Sequence, residues 1–113
     1  MAFTTGAKND AVNATVTGYT WISLHTGDPG TTGASEASGG SYARKQTTWP
    51  TSTAGVSLGS KVSFTNLIAA GYTHYGVWSA ASGGTFRFGN PLSPGVTLNG
   101  PGGIDVTPKC EFP

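Results

Sequence analysis

From residue 19 onward, turn-forming residues cut this 113-residue chain into short segments, and few folds can be built from pieces that short. There are 18 glycines and 7 prolines. Glycine tolerates positive φ and proline removes a backbone donor, so both interrupt regular structure rather than extend it. Between the interruptions the side chains alternate with period two. In residues 19–24 Ile22 and Leu24 point one way, while Trp21, Ser23 and the following His25 point the other. Further strands are expected over residues 42–49, 56–58, 61–67, 72–79, 85–89, 96–98 and 104–106. Ala81-Ser82-Gly83-Gly84 forms the loop of a hairpin. Strands at this spacing predict a mostly β chain, a single-domain antiparallel β-sandwich or small barrel.

One stretch has a different period. Ala7, Ala11 and Ala14 fall on one face of a helix over residues 3–16, with Thr4 or Thr5 as its cap and Gly18 as its stop. Residues 26–40, rich in Gly, Ser and Thr, read as a mobile loop, and residues 107–113 as an extended tail. No repeat or second domain divides residues 1–113. Strand 42–49 has no purely apolar side: Ala43, Lys45, Thr47 and Trp49 share one face, Tyr42, Arg44, Gln46 and Thr48 the other. Both faces therefore need partners, and a neighbouring subunit is expected to supply them.

Composition narrows the function. Charged residues make up 10% of the chain and the net charge is +1. The six cations are scattered with no basic stripe, which argues against a nucleic-acid partner. The aromatic content of 11% argues for an ordered core. No apolar run approaches the roughly 20 residues of a membrane-spanning helix, so no membrane insertion is expected. Nothing at the N-terminus resembles a secretion signal, so assembly in the cytoplasm is expected. The single cysteine, Cys110, has no partner for an internal disulfide and reads as an inert thiol.

Candidate chemistry is sparse. His25, Asp28 and Glu36 are close in sequence and His74 lies on another strand, but a metal site wants three or four ligands on rigid elements. Asp28 precedes Pro29 and Gly30, where a carboxylate usually accepts backbone N–H groups of a turn. Asp28, Pro29 and Gly30 therefore form the bend out of the first strand, and Gly39 and Gly40 the return. Glu36 stands in the loop without ordering residues nearby. There is no Gly-x-Ser-x-Gly elbow, and the glycine-rich loops lack the lysine and strand-to-helix context of a phosphate cradle. A Glu36–Asp105 pair for sugar cleavage has no support in spacing. No catalytic residue, cofactor or metal is expected. Trp21, Ile22, Leu24, Tyr42, Trp49, Phe64, Val77, Trp78 and Phe86 are expected in the core or at a subunit interface. An exposed Tyr/Trp pair stacking on a host-surface glycan is the alternative use for such aromatics.

Three phrases are specific enough to suggest a family. They are Ser23-Leu24-His25-Thr26-Gly27-Asp28-Pro29-Gly30, then Gly39-Gly40-Ser41-Tyr42-Ala43-Arg44 with Trp49, then Tyr75-Gly76-Val77-Trp78-Ser79-Ala80-Ala81-Ser82-Gly83-Gly84-Thr85-Phe86. In this order they resemble small virion structural proteins of tailed phages, the minor tail or tail-fibre-like proteins of actinobacterial phages. The resemblance covers residues 7–89 and departs from the pattern at residues 101–113. It implies a non-enzymatic, β-rich module exposed on the particle and built into a symmetric oligomer. The partners expected are copies of itself, as a homotrimer, and other virion proteins. No shaft repeat or heptad is present. The expected role is thus a small subunit on the tail or a capsid decoration, with a carbohydrate-binding module for the host envelope as the rival reading.

Overall fold

A computed structural model describes residues 2–112. Met1 and Pro113, the outer ends of the expected domain and tail, lie outside the described residues. The chain is mostly β, with one helix, and its antiparallel sheets pack into one body.

Helix α1 spans Thr5–Val16. Thr4 caps it, its Oγ1 accepting from Ala7 N–H at 3.1 Å, which satisfies one of the donors a helix start leaves open. It ends where the Thr17 N–H reaches back to the Asn13 carbonyl and Gly18 turns the chain out at φ +81°. Val12 and Val16 are buried. Asn9 Oδ1 accepts from Ser52 Oγ and Gly55 N–H, and Asn13 Oδ1 accepts from Ser52 N–H, so two helix side chains fasten the 50–55 loop.

The strands are β1 (Trp21–His25), β2 (Lys45–Gln46), β3 (Val56–Leu58), β4 (Val62–Leu67), β5 (Ala70–Trp78), β6 (Phe86–Leu98), β7 (Gly102–Val106) and β8 (Lys109–Glu111). They form a four-stranded sheet in the order β2-β1-β5-β6 and two ribbons, β3-β8 and β4-β7. In the larger sheet Ile22 faces Val77 and Leu24 faces Tyr75, on the side turned to the core. Phe64, Leu67 and Val62 from β4 and Ile104 and Val106 from β7 close that core. Each such side chain taken from water stabilises the fold by about 1.5–3 kcal/mol. A satellite cluster of Val12, Val16 and Cys110 packs the helix against Trp49 and Phe88. There burial pushes the Cys110 thiol up, which keeps it a thiol.

Two irregularities in β6 have consequences. Val77 pairs with Phe88 but Trp78 with Phe86, so Arg87 is an extra residue in a bulge. The bulge sends Arg87 to the end of α1, where its guanidinium donates to the Thr15 and Ala14 carbonyls and lies 4.7 Å from the Tyr19 ring centroid. A cation there satisfies carbonyls that the helix end leaves open. Farther along, His74 pairs with Pro91 and Tyr72 with Val96, so residues 92–95 loop out of the ladder. Pro94 within that loop, and Pro91 just before it, have no N–H to offer a passing strand.

Two expectations need correcting. Residues 42–49 are not a strand beyond Lys45–Gln46, because Tyr42, Arg44 and Trp49 turn away to partners of their own inside the chain. The argument that a neighbouring subunit must complete that strand falls with it. The separate strands 85–89 and 96–98 are one long β6, since an edge strand can hold prolines in a loop-out. Within residues 107–113, Lys109–Glu111 is the strand β8 that pairs with β3.

Candidate functional site

The side of β1 and β5 that faces away from the main core carries Ser23, His25, Gly76 and Trp78, because period two puts them there. Asp28 begins the cover over this face. Its Oδ1 accepts from Gly30 N–H at 2.8 Å, an Asx turn, and Pro29 is fully buried beneath it. The chain then doubles back: Gly33 and Ala34 N–H both donate to the Pro29 carbonyl, Thr26 N–H to Ser35, and Ala37 N–H to Leu24. Gly39 and Gly40, at φ +85° and +57°, make the return. A Cβ on Gly40 would lie 2.4 Å from the Asn66 carbonyl oxygen.

Glu36 is the centre of this cover, where no ordering residue was expected. Its carboxylate accepts from Arg44 Nε and NH2, both at 2.9 Å, and from the Tyr42 hydroxyl at 2.6 Å. Arg44 also donates from NH1 to the Ala80 and Gly83 carbonyls at 3.0 and 2.8 Å, in the β5–β6 hairpin loop. Its guanidinium lies 3.7 Å from the Trp78 ring centroid. A planar, five-donor group can do all of this at once, and a lysine could not. Burial works against the Glu36 charge, but the Arg44 and Tyr42 hydrogen bonds outweigh it and hold the carboxyl below its usual range. The same burial, together with the Glu36 bond, pushes the Tyr42 hydroxyl up.

Beneath this clamp runs a hydrogen-bonded chain whose polarity follows from donor chemistry. The Ala34 carbonyl only accepts, so His25 Nδ1, 2.7 Å away, carries the proton. The neutral ring then accepts at Nε2 from Ser23 Oγ at 2.6 Å, and Ser23 in turn accepts from Trp78 Nε1 at 2.9 Å. Burial lowers the His25 pKa, against the opposing pull of the Ala34 bond and the Glu36 charge. This Ser–His contact has the geometry of a nucleophile and its base. Both residues are fully buried, however, and a methyl added at Gly76 would lie 2.6 Å from Ser23 Oγ and 2.7 Å from His25 Nε2. No substrate carbonyl has room to approach Ser23, so the pair holds the cover to the sheet.

The other candidates are dispersed. His74 pairs with His25 across the strands and contacts Thr73 Oγ1. Asp28 is exposed in its turn, and Asp105 sits on β7 within 3.8 Å of Lys61. Among the described residues no three His, Cys, Asp or Glu side chains group as metal ligands. Of the aromatics expected in the core or at an interface, Tyr42 stacks on Phe64 and Trp78 meets Phe86 edge-on. Trp21 is half-buried opposite Trp78, and Trp49 Nε1 donates to the Tyr19 carbonyl. Ile22, Leu24, Phe64 and Val77 are buried in the core. The residue that sequence reasoning passed over is Arg44. A lone pairing of Glu36 with Arg44, eight apart in a chain with so few charges, was the signal that could have found it.

The three sequence phrases therefore meet in one place: Ser23 to Gly30 forms the floor and first turn, Gly39 to Arg44 the return and clamp, and Tyr75 to Phe86 the adjoining strand and hairpin. A family model for the podophage GP4 fiber I protein gp80 matches residues 6–106, from the first turn of α1 to the end of β7. Comparison with curated proteins gave no match. With nearly the whole chain matched, this protein belongs to that family of phage fibre proteins and is a structural component of the virion.

Proposed function

We propose that this protein is a non-catalytic subunit of the fibre that assembles with copies of itself, as a homotrimer, and with other virion proteins, rather than a decoration of the capsid lattice. The observation that carries self-association is an apolar-walled groove of about 780 Å³ between β6 and the β7–β8 segment. Leu58, 54% exposed, stands on its rim, and Leu92, Val96 and Ile104 line it. Together with Leu92 and Val96, Leu58 offers an apolar strip that a second copy would cover. Lys109 and Glu111, paired at 3.2 Å, and Asp105 give the groove a charged border, as a protein–protein contact has a polar rim. The absence of catalysis is supported by the sealed Ser23–His25 pair.

Light scattering on the purified protein tests this reading. The expected mass is about three times 11.4 kDa, falling to the monomer in Leu58→Asp. A wild-type protein that stays monomeric at every concentration, alone and with its neighbouring virion proteins, would refute it.

A further inference from the structure

Asn99 and Gly100 stand in the short turn between β6 and β7, which links the four-stranded sheet to the β4-β7 ribbon. Leu98 before the turn pairs with Ala70, and Gly102 after it pairs with Leu67, but residues 99–101 belong to no ladder. We propose that Asn99 is a site of spontaneous covalent modification. It deamidates through attack by the Gly100 backbone nitrogen, and the fraction converted records the age of the particle.

The surroundings single this asparagine out. Asn99 is exposed, and among the described residues the Gly100 N–H makes no backbone hydrogen bond, so the attacking nitrogen is free. No heavy atom lies within 4 Å of where a Gly100 Cβ would stand. Neither Asn99 nor Gly100 is at positive φ, so the fold itself has no need of a glycine here. What the glycine provides is an unhindered nitrogen beside a side-chain amide. The other asparagines are protected. Asn9 and Asn13 lie in α1 with their Oδ1 atoms engaged, and the helix ties up the N–H groups that follow them. Asn66 precedes the bulky, buried Leu67. Asn90 precedes Pro91, which has no N–H to lose.

The step balances with water alone. The Gly100 nitrogen gives up its proton to base and bonds to Asn99 Cγ. The Cγ–Nδ2 bond breaks, ammonia leaves, and a five-membered succinimide closes. Water then opens the ring: attack at Cγ gives aspartate, and attack at the Asn99 main-chain carbonyl carbon gives isoaspartate, whose backbone is longer by one carbon. Either product adds a carboxylate and cancels the net charge of +1. The longer backbone falls where β6 and β7 part to flank the apolar-walled groove. A released particle does not replace its subunits, so the product accumulates.

The test is peptide mapping of the purified full chain after incubation in mildly alkaline buffer. Trypsin cleaves after Arg87 and Lys109, which places Asn99 in the 88–109 peptide. The expected result is a gain of one mass unit at Asn99, with isoaspartate exceeding aspartate when read by an isoaspartyl methyltransferase. Conversion in the folded chain should run within about tenfold of the rate in the free 88–109 peptide, as suits an unprotected turn. Gly100→Ala should slow it about tenfold while leaving the urea midpoint unchanged, since the added methyl meets nothing. Stored particles should carry more of the product than fresh ones. The proposal is overturned if the folded chain converts more than about tenfold more slowly than the free peptide. It is equally overturned if another asparagine converts faster, if Gly100→Ala converts as fast as the wild type, or if stored and fresh particles carry equal amounts.

Discussion

Arg44 ties Glu36 in the cover over β1 to the β5–β6 hairpin loop at Ala80 and Gly83. Replacing it by alanine removes four hydrogen bonds and a cation–π contact, and leaves the Glu36 carboxylate part-buried without its cation. The expected loss is about 3 kcal/mol of unfolding free energy, measured by urea titration. Arg44→Lys should recover less than half, because a lysine ammonium cannot span Glu36 and the two hairpin carbonyls.

His25 adds a pH dependence whose sign follows from its lowered pKa. The unfolded chain takes a proton on this ring near pH 6.5, the folded chain only at lower pH, so protons favour unfolding. The stabilisation is complete above pH 6.5 and is lost as pH falls from there through the folded value, with a slope of up to about 1.4 kcal/mol per pH unit. Glu36 adds a second loss lower down: its contribution is present above pH 4.5 and disappears as pH falls through its depressed folded value. Thermal melts between neutral pH and mild acid check both steps. His25→Gln should remove the upper step.

At the scale of elements, the central sheet is tight enough for single methyl groups to matter. Gly76→Ala places a Cβ against both Ser23 and His25, with Phe86 a further 3.0 Å contact, so the substitution should cost about 1–3 kcal/mol. Leu24→Ala, in the core on the other side of β1, should cost about 2–5 kcal/mol. Amide hydrogen exchange separates the two: Gly76→Ala should loosen residues 26–37 selectively, while Leu24→Ala should lower protection across the whole sheet.

How much of this was legible depended on how far apart the partners are. The helix was readable because its cap and Gly18 are local, although the face it buries carries Val12 and Val16 rather than Ala7 and Ala14. So was β1, whose alternation is local too. Residues 42–49 misled because alternation implies a strand only if the backbone stays in the ladder. Here Tyr42 and Arg44 are satisfied by Glu36 and by a hairpin some forty residues on, which no local pattern encodes. The two strands expected over residues 85–89 and 96–98 proved to be one, interrupted by a loop-out at residues 92–95, since which strand lies at an edge is a property of the whole sheet. The turn role of Asp28 could be read from its Asp-Pro-Gly neighbourhood; the sealed Ser23–His25 chain needed Trp78 and Gly76 from another strand.

For the molecule as a whole, the described residues form an elongated body of 46 × 26 × 23 Å with two unlike grooves. One is apolar with a charged border, suited to another protein surface. The other, between the end of α1 and residues 46–51, is neutral and hydroxyl-lined. The phrases that make the sequence recognisable build the clamp that fastens the 26–44 segment to the sheet. The most direct test of the account is a reconstruction of the intact phage particle that carries this chain. The account predicts density of this size and shape in the fibre, in threefold-related copies meeting along the Leu58 groove. Copies spaced over the capsid lattice, or single copies in the fibre with that groove open to solvent, would contradict it.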